Sequence, residues 1–253
     1  MGARLVLSLL LAGASAAASA QTMLDQERHL IDIHSLLLDL PPLEAPGALP
    51  PGRLSVGLEA VTIPRIDGTT GTKRQITASD RTPLFPRPRL ALGLPAPEGF
   101  RAMVGASYIP PVAIRDVSTH YGAAEAAMAW TPGPLRAGLR GHLLYATSRS
   151  PVTEPATRDA LETWEYGADL SAGWSVSLPP ATLEPYAALG VVHLRGRFRV
   201  TSDGYVLRSQ YTGAALDAGL RFVFRDRWEG VAEVEAYPGR LVHTNFRAGY
   251  LFH

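Results

Sequence analysis

Residues Trp164–Leu178 read W-E-Y-G-A-D-L-S-A-G-W-S-V-S-L. Trp164, Tyr166, Ala168, Leu170, Ala172, Trp174, Val176 and Leu178 fall on one side of an extended chain. Glu165, Gly167, Asp169, Ser171, Gly173, Ser175 and Ser177 fall on the other. Side chains alternate across a strand with period two, so this is one long strand with an apolar and a polar face. At about fifteen residues it exceeds the roughly five or six of an ordinary soluble strand. It is long enough to cross a bilayer at a tilt, which takes about nine to eleven residues. Its aromatics lie towards the two ends, where membrane interfaces hold Trp and Tyr.

Similar alternation recurs from Arg53 onward. Strands are expected near 53–64, 88–95, 99–109, 118–131, 134–148, 162–178, 183–200, 207–225, 227–237 and 241–252. The connections alternate in length. Short ones fall at Pro95–Gly99, Thr131–Pro134, Pro179–Thr182 and Arg225–Arg227. Longer ones fall near 65–87, 110–117, 149–161 and 201–206, with a tighter one at Pro238–Arg240. Short turns at one rim and longer loops at the other predict an all-β, antiparallel, up-and-down transmembrane β-barrel of about ten strands, with both barrel ends on the periplasmic side. A periplasmic β-sandwich is the soluble alternative, but it favours shorter strands and less Gly and Ala on both faces. Trp130, Trp164, Trp174, Tyr186, Trp228 and Phe252 are the expected aromatic girdle.

The N-terminus divides the rest of the chain. Arg4, an apolar run Leu5–Ala12 and Ala18-Ser19-Ala20 have the order of a secretory signal peptide, so residues 1–20 are expected to be removed on export by the general secretory route. Residues 22–40 carry Leu24, Ile31 and Leu38 at heptad spacing, widened by Leu30, Ile33 and Leu37. They predict a helix, capped by Thr22 or Asp25 and stopped by Pro41 and Pro42. Residues 41–52 are a Pro/Gly-rich linker. Residues 21–52 thus form a periplasmic helix and linker, and 53–253 the barrel. The helix has three conceivable places: inside the lumen as a plug, at the periplasmic mouth, or on a partner. A narrow charged lumen suits a broad apolar face poorly, so the periplasmic mouth is expected.

Composition excludes several classes. There is no Cys, hence no lipoprotein anchor and no disulfide. A net charge of +1 gives no footprint for nucleic acid. Lys73 is the only lysine, and it lies in a Thr/Gly stretch (Thr69–Lys73) that lacks phosphate-loop spacing and reads as an extracellular loop.

Ten strands enclose little more than eight, whose interior side chains fill, so the inner face carries the functional content. The expected lumen charges are Glu125, Arg136, Arg140, His142, Glu165, Asp169, His193, Arg195, Arg197, Arg199, Asp217, Arg221, Glu229, Glu233, Glu235 and Arg247. Closing the hairpins places Trp130 opposite Leu135 and Glu125 opposite Arg140, and brings Asp169 near His193 and Glu165 near Arg197. Opposite-charge ladders satisfy a narrow lumen, because unpaired buried charge is costly. Arg195, Arg197 and Arg199 form a basic run that is either an anion-selective constriction or a neutralised rim contacting lipopolysaccharide phosphates.

No catalytic group stands out. None of His29, His34, His120, His142, His193, His243 and His253 sits in an H-x-S arrangement, and no serine is placed as a nucleophile. His29 and His34 lie five apart, not the four of a helical metal pair, so neither zinc nor any other cofactor is expected.

The last strand, T-N-F-R-A-G-Y-L-F over 244–252, resembles the C-terminal signal that the assembly machinery of bacterial outer-membrane proteins reads, with His253 following the terminal Phe. The similarity is to that class, not to one family. It implies an outer-membrane location, with membrane lipid, lipopolysaccharide and the assembly machinery as partners. The layout of helix before barrel is also similar to the N-terminal hatch of long-chain fatty-acid transporters, which have more strands. Two functions are expected: a narrow pore for small solutes, or a non-conducting interaction barrel with a salt-bridged lumen and binding loops near 65–87 and 149–161. A membrane enzyme is a weaker third.

Overall fold

The computed structural model describes residues 23–42, 46–47, 49–62, 84–114, 117–151 and 156–252. The signal peptide, Thr22, most of the 65–87 loop including Thr69–Lys73, residues 152–155 of the 149–161 loop, and His253 lie outside the described residues.

One helix, α1 (Met23–Leu36), precedes the strands β1 (Leu54–Thr62), β2 (Leu84–Leu94), β3 (Phe100–Ile114), β4 (Val117–Trp130) and β5 (Leu135–Ser150). β6 (Asp159–Trp174) breaks at Ser175 and resumes as Val176–Leu178. β7 (Ala181–Arg199), β8 (Val206–Phe224), β9 (Trp228–Tyr237) and β10 (Leu241–Phe252) follow. Both pieces of β6 pair with β7, so the wall has ten strands. Each is antiparallel to its sequence neighbours, and β1 closes on β10 from Leu54↔Phe252 to Val61↔Asn245. Closure leaves no strand without a neighbour on either side, as a bilayer requires.

Period two decides the faces. Leu139, Leu170, Leu189 and Val191 point out and are 57–65% exposed. Glu59, Arg89, Glu165 and Glu233 point in and are at most 1% exposed. Among the described residues no helix is long and apolar enough to cross a membrane.

β2 begins four residues earlier than expected, and β3 runs five further. Pro86 and Pro88 look like a loop, because proline cannot donate to a ladder. They are tolerated because the β2–β3 ladder covers only Arg89–Leu94 against Ala102–Ser107. Beyond it the Pro88 carbonyl is met by Ser107 Oγ at 2.6 Å instead. Pro110 and Pro111 sit at a register shift of β3 against β4.

The chain before β1 occupies the lumen. Gly93 approaches Pro50 so closely that a Cβ there would lie 2.0 Å from its carbonyl oxygen. A Cβ on Gly138 would lie 2.6 Å from Pro46, and one on Gly196 would lie 2.4 Å from Ile31. Gly93 and Gly138 lie near the short turns, and Gly196 lies near the longer loops. The described residues 31–42, 46–47 and 49–52 therefore lie along the lumen between its long-loop half, which α1 fills, and the short-turn end. This corrects the expected place of the helix at the periplasmic mouth. The reason is that the lumen has an apolar upper tier: Ile33, Leu36 and Leu37 bury against Val192, Leu194, Ala215, Tyr237 and Leu241.

Candidate functional site

The site is the contact between this N-terminal segment and the wall, and it has three tiers. The lowest is a ladder of five charges from five strands. Arg136 meets Glu184 at 2.7 Å, Glu184 meets Arg221 at 2.6 Å, Arg221 meets Glu229 at 2.9 Å and Glu229 meets Arg247 at 2.6 Å. Ser55 of β1 donates to Glu229, closing this ring across the β1–β10 seam.

The middle tier grips the segment itself. Arg87 pairs with Glu59 at 2.5 Å, and Arg89 with Glu59 at 2.8 Å. Arg89 also pairs with Glu125, Glu125 with Arg140 at 3.1 Å, and Arg140 with Asp169 at 2.8 Å. These three arginines also donate to backbone carbonyls of the segment. Arg87 Nη1 donates to Leu38 O at 3.0 Å and to Asp39 O, and Arg140 Nη1 to Leu40 O at 2.8 Å. Arg89 donates to Pro41 O at 2.9 Å and Pro42 O at 3.2 Å. Five consecutive carbonyls are thus satisfied by the wall. The segment leaves the helix there, because Pro41 and Pro42 prevent it from continuing, and the carbonyls of a buried non-helical chain must find donors elsewhere. Arg101 donates to Gly47 O at 3.1 Å further down.

Above this lie Asp39, His142 and Glu165. His142 Nε2 is 3.1 Å from Asp39 Oδ1 and 3.9 Å from Glu165 Oε1. The Tyr237 hydroxyl lies between Asp39 and Glu235, 2.5 Å from Glu235 Oε1, and Glu235 meets His243 at 2.9 Å. At the top, Ser35 bonds Thr163 at 3.0 Å and Ser209 donates to Asp32 at 2.6 Å. Arg240, in the β9–β10 turn, meets Asp32 at 3.6 Å and donates to His29. Burial, and then the Arg240 guanidinium, hold His29 below its ordinary 6.5, against the pull of Asp32.

The sequence-derived lumen set is partly brought together here. Glu125, Arg136, Arg140, Glu165, Asp169, Asp217, Arg221, Glu233 and Arg247 face inward. Glu125 lies opposite His142, two residues off the expected register, and Trp130 lies opposite Ala137. Arg140 still reaches Glu125 along the diagonal, as a long side chain can.

His193, Arg195, Arg197 and Arg199 are corrections. They face outward, while Val192, Leu194 and Gly196 face in. The β6–β7 turn is Pro179-Pro180, not a four-residue turn, so Asp169 lies opposite Gly190 and Glu165 opposite Leu194. Neither Asp169–His193 nor Glu165–Arg197 forms. Arg197 lies opposite Glu162, 4.0 Å away, both half-exposed. Arg195, Arg197 and Arg199 thus form no constriction of the lumen. Tyr186 is a further correction: it is buried in the lumen and its hydroxyl donates to Glu233 at 2.8 Å. Trp130, Trp164, Trp174, Trp228 and Phe252 point outward.

Sequence reasoning missed Asp39, Glu59, Arg87, Arg89, Glu184, Tyr237 and His243. Glu59 and Arg89 were available on expected strands, but Arg87 was hidden in an expected loop between Pro86 and Pro88.

Every tier points in and every apolar belt points out. The fold is that of the bacterial outer-membrane β-barrels, and the outer membrane is where such a wall belongs. Among solved structures the chain is similar to the translocator domain of the autotransporter NalP from Neisseria meningitidis, at 12% identity, covering 90% of this chain and 94% of that one, TM-score 0.46. It is also similar to the N-terminal β-barrel domain of OprF from Pseudomonas aeruginosa, at 15% identity over 78% and 97%, TM-score 0.30. A third is Ail, the attachment invasion locus protein of Yersinia pestis, at 14% identity over 80% and 99%, TM-score 0.29. No family model and no curated protein matches the chain.

Proposed function

We propose that this protein is a closed outer-membrane barrel that carries its own N-terminal segment through the lumen and holds α1 at the long-loop mouth as an interaction element. On this reading it is neither a standing pore nor an enzyme. The observation that carries it is the capture of the five carbonyls of Leu38–Pro42 by Arg87, Arg89 and Arg140. Backbone capture of this kind leaves no water path along that side of the lumen. It also fixes the direction of the segment, so the start of α1 emerges beside the β9–β10 turn, where Asp25 and Arg28 are half-exposed. Outside the wall at the same rim, Arg149, Arg199 and Arg208 are exposed above the tilted ring pair of Tyr145 and Trp164, and Arg195 is exposed level with Trp164. Cations above an aromatic girdle suit lipopolysaccharide phosphates.

Two measurements test this reading. The full chain, refolded into planar bilayers, is expected to insert without steady conductance, and a steady open level at rest would refute closure. A peptide tag placed between Gln21 and Met23 is expected to be reached by antibody on intact cells. Labelling only after the outer membrane is permeabilised would refute display. A second reading, a gated pore, is favoured by the charge that lines the wall behind the segment, since release of the segment would leave a wet polar channel. It predicts bursts of conductance when the middle tier is weakened.

A further inference from the structure

We propose that Asp39, His142 and Glu165 bind one divalent first-row metal ion, of the zinc class, which staples the N-terminal segment to the barrel wall. The proposal depends on where the segment lies and not on whether the barrel conducts.

The three residues come from three places: Asp39 from the segment, His142 from β5 and Glu165 from β6. One donor atom from each lies within 4.8 Å of the others, with Asp39 Oδ1 3.1 Å and Glu165 Oε1 3.9 Å from His142 Nε2. Donors around a tetrahedral ion with bonds of about 2.0–2.1 Å stand about 3.3–3.4 Å apart. The observed spacings bracket that value, so rotations of two side chains suffice to close the site.

A second, independent observation concerns unmet valence. The Glu165 side chain is 0% exposed, and neither of its carboxylate oxygens has a hydrogen-bond partner. The His142 side chain is 5% exposed; Nε2 has the Asp39 contact at 3.1 Å, off hydrogen-bond alignment, and Nδ1 meets no hydrogen-bond partner. A buried carboxylate and imidazole facing one another without bonds are costly unless something between them accepts their lone pairs. Acids outnumber cations in the wider surroundings: Asp169, Asp217 and Glu235 border the cavity beside Asp39 and His142, with Arg140 as the cation among them. The ion-pair partners of Asp39, Glu165 and Glu235 are histidines, whereas the acids of the lower tiers pair with arginines. A dication offsets that excess of acid. One nitrogen and two oxygens suit zinc and its neighbours better than calcium, which takes six or more oxygens. Three protein donors leave a fourth position towards that cavity.

The test is a titration of the full-length refolded protein, stripped with chelator, with Zn2+ by calorimetry and with Co2+ by its visible absorption. One equivalent per chain is expected, with a Co2+ band that Zn2+ abolishes. His142→Ala is expected to remove binding. The isosteric Glu165→Gln and Asp39→Asn, which keep volume and fold, should each weaken it beyond the roughly 10–100-fold that losing an outer-shell partner costs. His120→Ala, on the outward ring stack, should leave it unchanged. Folding of each variant is checked by heat-dependent gel migration. Absence of a saturable equivalent in folded protein overturns the proposal. So does binding that survives both His142→Ala and Glu165→Gln, which would place the ion on surface histidines. Either failure leaves the conductance result untouched.

Discussion

Replacing Arg89 by Met tests whether the segment is held by the wall or merely lies in it. Arg89 is 0% exposed. Its Nε is 2.8 Å from Glu125, its Nη1 2.8 Å from Glu59 and 2.9 Å from Pro41 O, and its Nη2 3.2 Å from Pro42 O. Met fills similar volume but offers no donor. Removing one partner of a buried ion pair costs about 3–5 kcal/mol. Here Glu125 keeps Arg140 and Glu59 keeps Arg87, so the lower end applies. Each carbonyl left dry adds about 1–3 kcal/mol, again at the lower end where water follows the cavity. The expected loss is therefore roughly 4–6 kcal/mol in all. Urea unfolding in detergent, read by tryptophan fluorescence, measures it, and protease protection of residues 23–50 shows where it falls. Arg89→Met with Glu125→Gln should recover part of the loss, since the unbalanced acid is gone and only the carbonyls stay short. A single variant that costs under about 1 kcal/mol, as an exposed pair would, with protection unchanged, would refute the grip.

Other perturbations act on the same contact. Gly196→Val places a Cβ where Ile31 Cγ2 would be 2.4 Å away, so α1 should become protease-accessible, and Ile31→Ala should restore protection in the double variant. Gly93→Ala meets the Pro50 carbonyl oxygen at 2.0 Å, which is backbone and cannot step aside, so refolding yield should fall with no single-site rescue from residue 50. His29 sits below its ordinary 6.5 and accepts from Arg240 while neutral. Its contribution is therefore present above 6.5 and is lost as pH falls through the lower folded value, so protection of α1 should drop on acidification. His29→Gln, which keeps an acceptor and cannot titrate, should flatten that profile.

The wall was legible wherever one face met lipid and the other met charge. Trp164–Leu178 is such a stretch, and its inward Glu165 and Asp169 were readable from period two alone. β7 was not, because the rule that apolar means outward reverses in its upper half. Val192, Leu194 and Gly196 face the apolar side of α1, while Arg195 and Arg199 reach the rim outside. An internal helix makes an apolar lumen, and nothing local to β7 announces it. The two-residue Pro179-Pro180 turn sets the same parity, since one residue of slip exchanges the two faces of a strand. Tyr186 was misplaced for the same reason. Arg87 was lost to the punctuation of Pro86 and Pro88. Asp39 lies more than a hundred residues before His142 and Glu165, and only the threading of the segment brings it to them.

The prolines also explain why segment and wall are one folding unit. From Arg89 and Ser107 upward, β2 and β3 no longer pair, and Pro86, Pro88, Pro110 and Pro111 face the gap without N–H groups to offer. A gap in a lipid-facing wall is unfavourable unless its inner side is covered, because unpaired backbone in hydrocarbon costs several kcal/mol per group. What covers it is Arg87, itself 0% exposed, whose guanidinium lies over the Tyr121 ring and donates to Leu38 and Asp39 of the segment. Leu38 and Ile109 pack there against Leu40, Tyr121 and Leu144. The N-terminal segment thus serves as an inner lining for a wall that its own strands leave incomplete. A detachable cork would sit in a barrel already closed by its ladder. Here the ladder ends at the level where the segment's carbonyls are gripped, so loss of the grip and loosening of the β2–β3 seam are the same event.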